Sequence, residues 1–359
     1  MAGKILFLVP YPLGTSPSQR FRFEQYFGIL EKNGFSTTVE SFLPKSAPLI
    51  VLGKGSIVQK TVVLLTGFLR RLCIIPKIPA FDFIFIHREA SPIGPPIIEW
   101  IIAKVLKKKI IYDFDDAIWL TDRASEPKII SALKWRSKVQ SVCKWASKVS
   151  CGNQFLRDFA ATFNAHSIFL PTTIDTNYQH NPALFRKNFS QNIIIGWTGS
   201  HSTLKYLTEI QEVLQRIQVS FPHVELTIIA DQKPDLGPMS FQFIPWSEKS
   251  EVRELASFDI GIMPLPDDEW SKGKCGFKAL QYMAMEIPVV ASAVGANTQI
   301  IKHYDDGLLV SSREEWYASL VYLINSDVGR RELGKNGRAK VIKDYSVDSN
   351  AARFLSLFT

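Results

Sequence analysis

Between Gly273 and Gly307 the chain sets two cations and one amide around a single helix start: Lys274, Lys278 and Gln281. Gly276 permits close backbone approach, and a helix over 275–285 would aim the positive end of its dipole at the same spot. Lys278 and Gln281, three positions apart, share a helix face; Leu280, Met283 and Ala284 are left to pack the other. Cations, helix-start N–H groups and one amide suit a sugar nucleotide, with the diphosphate at the helix start and ribose hydroxyls beside Gln281. The competing reading is an ordinary helix with two solvated lysines.

Composition narrows the partners. With 359 residues and 46% hydrophobic content the chain can build large cores, and its length suggests two domains. Aromatic content of 12% and charged content of 21% argue against disorder. A formal net charge of +8 favours anionic partners: nucleotide diphosphates, an acidic membrane surface or nucleic acid. Nucleic acid is set aside, because no arginine-rich tail or basic run interleaved with aromatics is present. Cys73, Cys143, Cys151 and Cys275 show no CxxC spacing and no metal-ligand pattern with the histidines, and read as reduced thiols of a cytoplasmic protein. The first apolar run, Ile5–Val9, is short for a signal peptide, and no run reaches the roughly 18–20 residues of a membrane span. The expectation is a cytoplasmic protein, at most peripheral on the inner membrane.

The elements that must position these residues alternate along the chain. Strands are expected at Ile5–Val9, Phe35–Glu40, Phe81–His87, Lys109–Phe114, Lys148–Cys151 and His166–Leu170, with helices at 18–33, 95–107, 126–146 and 153–164. Residues 171–192 are polar, lack a clear period, and read as an interdomain linker. A second alternation follows: strands at Ile193–Trp197, Val224–Ala230, Ile260–Met263, Pro288–Ala291 and Leu308–Val310, with helices at 202–219, 248–257 and 275–285. Ser312 and Glu315 form a candidate capping box, and 346–358 reads as a closing amphipathic helix. Apolar strands separated by helices imply two parallel α/β sheets, Rossmann-like and doubly wound, with a cleft between them.

Residues 46–80 differ from both halves, mixing Ile, Val and Leu with Lys54, Lys60, Arg70, Arg71 and Lys77. A basic amphipathic helix there has two readings: it lies on an anionic membrane surface, or it packs on the first domain with a solvated basic face.

With both halves in view, the chain resembles the retaining glycosyltransferases of the GT-B fold, family 4. The resemblance is carried by Met263-Pro264-Leu265-Pro266-Asp267-Asp268, Lys274 to Lys278, Gln281-Tyr282-Met283-Ala284, Pro288 to Ser292 and Val294-Gly295. Gly196 to Ser200, Pro171 to Asp175 and Asp113 to Trp119 support it in the same order. It implies an acceptor-side domain over 1–175, a nucleotide-sugar-binding domain over 176–340, and a helix over 341–359 that packs back on the first domain. Many members carry two glutamates where Gly273 and Gln281 stand here, and one branch has lysines at the places of Lys274 and Lys278. Glu286 occupies a position usually held by glycine, so its side chain is expected to point away from the diphosphate. Trp197 and Thr203 replace the usual basic pair after the first strand of the second domain, which puts more demand on the two lysines.

The resemblance assigns roles as expectations. Lys274, Lys278 and the amides near Gly276 would stabilise the leaving diphosphate, with His87 facing the donor sugar. Thr198, Gly199, Ser200, Gly276, Gln281, Gly295 and Asn297 would bind the donor. On the acceptor side stand Arg20, Arg88, Glu89, Asp113, Asp115 and Asp116; Arg20 is preferred over Arg22 as the residue facing the cleft. The aspartates are read as acceptor-hydroxyl binders or structural caps rather than Mg²⁺ ligands, and no cofactor or metal is expected beyond the nucleotide-diphosphate sugar. Transfer with retention of configuration to a glycan or lipid-linked saccharide is the leading reading. The alternatives are a UDP-sugar epimerase of the same fold and a degenerate, non-catalytic sugar-nucleotide-binding protein.

Overall fold

The computed structural model describes residues 2–45, 56–121, 126, 128–185 and 192–359. It divides into two compact units, Met1–Thr172 with Asn350–Thr359, and Thr173–Ser349. Each carries one six-stranded sheet in which every pairing is parallel.

In the first unit the strands are β1 (Gly3–Val9), β2 (Phe35–Ser41), β3 (Phe83–His87), β4 (Lys109–Phe114), β5 (Lys148–Cys151) and β6 (Ser167–Phe169), in the order β2-β1-β3-β4-β5-β6. All five residues of β3 are buried, as a strand covered on both faces requires. The chain steps from β1 to one side and returns to β3 on the other. Ligands in open α/β sheets collect at such a switch point, outside the carboxyl ends of the strands. The register puts His87, Asp113 and Ser150 in one row near that edge.

The second unit holds β7 (Ile193–Gly199), β8 (Val224–Ala230), β9 (Gln242–Pro245), β10 (Ile260–Met263), β11 (Val289–Ser292) and β12 (Leu308–Val310), ordered β12-β11-β10-β7-β8-β9. Its switch point lies between β7 and β10. Paired glycines make room there: a Cβ on Gly261 would stand 2.5 Å from the Tyr282 ring, and one on Gly196 would stand 2.0 Å from Phe258. Through that gap the helix Phe277–Ala284 lays Tyr282 flat on the sheet.

Several elements differ from the sequence expectation, each for a physical reason. The helix expected over 18–33 breaks into Pro17–Arg20, a short 3₁₀ turn and Phe27–Lys32. Phe21, Arg22 and Phe23 are all buried, and one helix stripe cannot bury three consecutive residues. The stretch over 126–146 is interrupted at Trp135, which takes a left-handed φ of 48°. Residue 127 lies outside the described residues. Much of the polar segment expected as a linker is interior to the second unit: Thr173, Ile174 and His180 are fully buried, and Ile174 pairs with Ser346. The closing helix Val347–Leu355 and its 3₁₀ extension carry Phe354, whose ring stacks on Tyr26 at 4.1 Å. Among the described residues no helix is long and apolar enough to cross a membrane.

Candidate functional site

In the second unit the helix Phe277–Ala284 begins at Gly276, whose φ of 67° is left-handed. A Cβ there would stand 2.2 Å from Ile300, so glycine is required by both conformation and space. Lys274 and Lys278 flank this start. Each is half-buried and rests its ammonium over an indole, Lys274 at 4.6 Å from Trp270 and Lys278 at 5.3 Å from Trp197. Cation–π contact on fixed rings narrows the positions the two charges can take. Tyr282 anchors the helix from the far side: its hydroxyl accepts from the Thr198 N–H at 3.0 Å, tying the helix to the end of β7. Burial pushes the Tyr282 phenol well above its usual range, so it keeps its proton.

Asn297 is buried, donates through Nδ2 to the Ser292 carbonyl at 3.0 Å, and keeps Oδ1 without a protein partner. That oxygen lies 3.4 Å from the position a Gly276 Cβ would take. Gly295, at φ 53°, packs its α-carbon on the backbone of Ser271 and Lys272, where a side chain would clash. A concavity of about 320 Å³ opens at the carboxyl ends of β10, β11 and β12, against Leu265, Ser292, Ser311 and Trp316. None of the residues predicted to bind the donor lines it.

In the first unit the row of His87, Asp113 and Ser150 forms a buried network. Arg22 Nη2 donates to Asp113 Oδ1 at 2.5 Å and to Ser150 Oγ at 3.1 Å, and its Nη1 bonds the Leu170 carbonyl. Ser150 also donates to Asp113 at 2.7 Å, and His87 Nδ1 meets the other Asp113 oxygen at 2.8 Å. Burial opposes ionisation of Asp113, yet the Arg22 guanidinium and His87 hold its carboxyl below the usual carboxylate range. At the adjoining edge Arg88 adopts a left-handed φ of 59° and bridges Asp115 at 2.8 Å and Asp116 at 2.5 Å. Burial works against the Arg88 charge, and the two carboxylates outweigh it and raise its pKa. Strained backbone of this kind persists where surrounding bonds over-determine it; here the Arg88 N–H donates to Asp113 O and its carbonyl accepts from Tyr112 Oη, both at 2.7 Å.

Residues 192–326 match the family model described as glycosyl transferases group 1. The matched segment lies within the second unit. No curated protein matches the chain in sequence. Among solved structures, Anabaena HepE in complex with UDP and glucose is similar at 13% identity and TM-score 0.69, covering 99% of this chain and 98% of that one. Sucrose-phosphate synthase from Thermosynechococcus elongatus gives 13% identity, TM-score 0.69 and the same coverages, 99% and 98%. A glycosyltransferase from Rickettsia africae gives 15% and 0.68, covering 99% and 97%. The fold is therefore that of the GT-B glycosyltransferases: two Rossmann-like units of six parallel strands.

Within the matched segment, Lys274, Gly276, Lys278 and Asn297 are brought together, and Thr198 joins them through Tyr282. β7 runs two residues past the expected end at Trp197, to Gly199, and Ser200 follows it with its hydroxyl 2.9 Å from Ser202. Gln281 departs from expectation. It is buried and its amide donates to Glu251 at 2.9 Å, with the buried His180 ring at 3.3 Å, so this donor faces the protein and not a ribose. Glu251 and His180 belong to this network and were missed: they lie 30 and 101 positions from Gln281, and nothing local marks them.

Three expectations in the first unit also need correction. His87 is fully buried and does not face a sugar; β3 is covered on both faces, and Nε2 meets Ser18 Oγ at 3.4 Å. Asp113 has both oxygens occupied inside the fold and so positions His87 and Arg22 instead of binding an acceptor hydroxyl. Glu89 turns to Lys138 at 2.7 Å, away from the aspartates. Arg20 is mostly buried with its guanidinium 5.0 Å from the Phe21 ring, whereas Arg22 is committed to Asp113. Among the described residues no cluster of three or more His, Cys, Asp or Glu could hold a metal ion.

Glu286 explains its own oddity. The Ile287 N–H returns to the Tyr282 carbonyl and the Glu286 N–H to Met283, the bonding of a Schellman helix end. That motif puts Glu286 at φ 59°, a conformation suited to glycine, and its side chain lies 3.9 Å from Arg338. Glu286→Gly is expected to stabilise the protein by about 1 kcal/mol by relieving the left-handed strain. Urea unfolding measures it, with Glu286→Ala, which keeps the strain, as the control; no gain over Ala would contradict the assignment.

Proposed function

We propose that the protein is a glycosyltransferase moving a sugar from a nucleotide-diphosphate donor, held by the second unit, to a glycan or lipid-linked saccharide with retention of configuration. The observation that carries this reading is the pair of ring-seated ammonium groups flanking the left-handed Gly276 at a helix start. As the bond from the anomeric carbon to the leaving phosphate oxygen breaks, negative charge gathers on the diphosphate, and fixed cations there lower the barrier. The acceptor oxygen attacks from the same face and passes its proton to that phosphate oxygen, so no protein nucleophile is required. Backbone groups around Gly276, Gly295 and Gly199 would contact the donor, and the open Asn297 Oδ1 would accept from a sugar hydroxyl. On the acceptor side, the partly exposed Arg88, Asp115 and Asp116 would bind hydroxyls. Ser18, held by His87, and Arg20 would sit beside them. Because HepE binds UDP-glucose, uridine donors are the first to test. Action in the cytoplasm, at the inner membrane face, accords with the buried thiols Cys143, Cys151 and Cys275.

One observation favours a second reading, a sugar-nucleotide binder without turnover: the Gln281 amide is spent on Glu251. Incubation with UDP-, GDP- and ADP-sugars in EDTA, without acceptor, separates the two. Slow release of free nucleoside diphosphate is expected. Binding with no release favours the binder, and release abolished by EDTA overturns metal-independence.

A further inference from the structure

The helix Ile57–Ile74 starts at a complete capping box, Ser56 with Gln59, and turns one face inward through Val63, Gly67, Arg71 and Ile74. The opposite face is apolar as well. Val58, Val62, Leu65, Leu69 and Leu72 follow each other at steps of four and three, one straight stripe, and each is 56–71% exposed. Contiguous apolar surface of this kind marks an interaction site. Charge identifies the partner. From residue 41 to 81 the sequence has no acidic residue, while Lys45, Lys54, Lys60, Arg70, Arg71 and Lys77 are all basic. A second copy of the chain would set the exposed Arg70 and Lys77 against their own counterparts with no acid in this segment to pair them, whereas anionic headgroups complement them.

We propose that the outward face of Ile57–Ile74 is a bilayer-docking face that lies in the plane of an anionic glycerophospholipid surface. Val58, Val62, Leu65, Leu69 and Leu72 enter the acyl boundary, and the exposed Arg70 and Lys77 meet the phosphates. Arg71 fixes what this mount carries. From the buried face its guanidinium donates to Val9 O at 2.8 Å, Glu40 O at 2.9 Å and Ala90 O at 2.7 Å. Val9 ends β1, Glu40 lies in β2, and Ala90 stands two residues beyond Arg88, so the helix is fastened to the strand edge that bears Arg88, Asp115 and Asp116. Gly67 permits the tight seat, since a Cβ there would stand 2.4 Å from the Phe42 ring. A docked helix therefore holds the first unit's functional edge near the lipid surface. Resting in this one respect on the transferase reading, the acceptor is the lipid-linked form and not a free glycan.

Flotation of the full chain with phosphatidylcholine vesicles, with and without phosphatidylglycerol, tests this. Wild type is expected to float with the anionic vesicles alone. Leu65→Gln/Leu69→Gln, whose side chains stand in solvent, should melt like wild type yet lose at least about tenfold in partitioning. Arg70→Glu/Lys77→Glu should lose a similar factor, more at low salt. Absence of flotation overturns the proposal, as does full retention by the glutamine variant. So does a lipid-independent dimer that the glutamine variant dissolves. Vesicle binding needs no sugar nucleotide, so flotation without donor turnover would sink the transferase reading alone, and turnover without flotation this inference alone.

Discussion

Lys274→Ala and Lys278→Ala are each expected to lower turnover by about 10² or more, the loss seen when one preorganised donor to a developing anion is removed. The two ammonium groups qualify because of how they are held. Each lies over an indole ring, Trp270 or Trp197, on either side of the Gly276 turn. A charge already in place needs no reorganisation when the diphosphate departs. The effect should fall mainly on kcat, since the added negative charge exists only as the sugar leaves, with a smaller change in KM from weaker donor binding. Lys302→Ala, an exposed lysine paired with Asp305, is the control and should leave turnover unchanged. Near-native turnover in both test variants would remove the proposed roles.

The second large effect is on stability. Asp113→Ala is expected to cost about 3–5 kcal/mol, because it leaves the Arg22 guanidinium charged and buried without its carboxylate. Both members are fully enclosed, Asp113 at 1% side-chain exposure and Arg22 at 0%, so solvent screens little of the interaction. The same network predicts a pH dependence. Asp113 is held below its unfolded value, near 4, so its contribution is fully present above that pH. It fades as pH falls from there toward the depressed folded value. Urea unfolding between neutral and acid pH should show that loss in wild type and lack it in Asp113→Ala. A cost under about 1 kcal/mol would mean the network contributes little.

How much of this was legible depends on the range over which each residue finds its partner. Apolar runs such as Ile5–Val9 and Val224–Ala230 announce buried parallel strands through composition alone. Gly276 and the flanking lysines were legible because a glycine between cations at the start of a helix-periodic run is a local pattern. Strand β9 was missed: it is four residues long, lies at a sheet edge, and only Phe243 and Ile244 are partly covered. His87 was read correctly as a strand end, but whether a strand end is open or roofed depends on Ser18 and Phe23, far away in sequence. Arg20 and Arg22 could not be assigned buried partners because the helix assumed to hold both is broken between them. Gln281 looked like a ligand contact until Glu251, 30 residues earlier, took its amide. The segment around Ile174 looked like a polar connector since its partner, Ser346, is near the other end of the chain.

Everything rests on the two ammonium groups neutralising a diphosphate at the Gly276 helix start. The most direct test is equilibrium binding of UDP and uridine, with GDP and ADP against their nucleosides as companions, to wild type and to the Lys274→Ala/Lys278→Ala double variant. At least one diphosphate should bind wild type about tenfold or more tighter than its nucleoside, with a margin that shrinks as salt rises. In the double variant that margin should vanish while nucleoside affinity holds. An unchanged margin in the double variant would contradict the account.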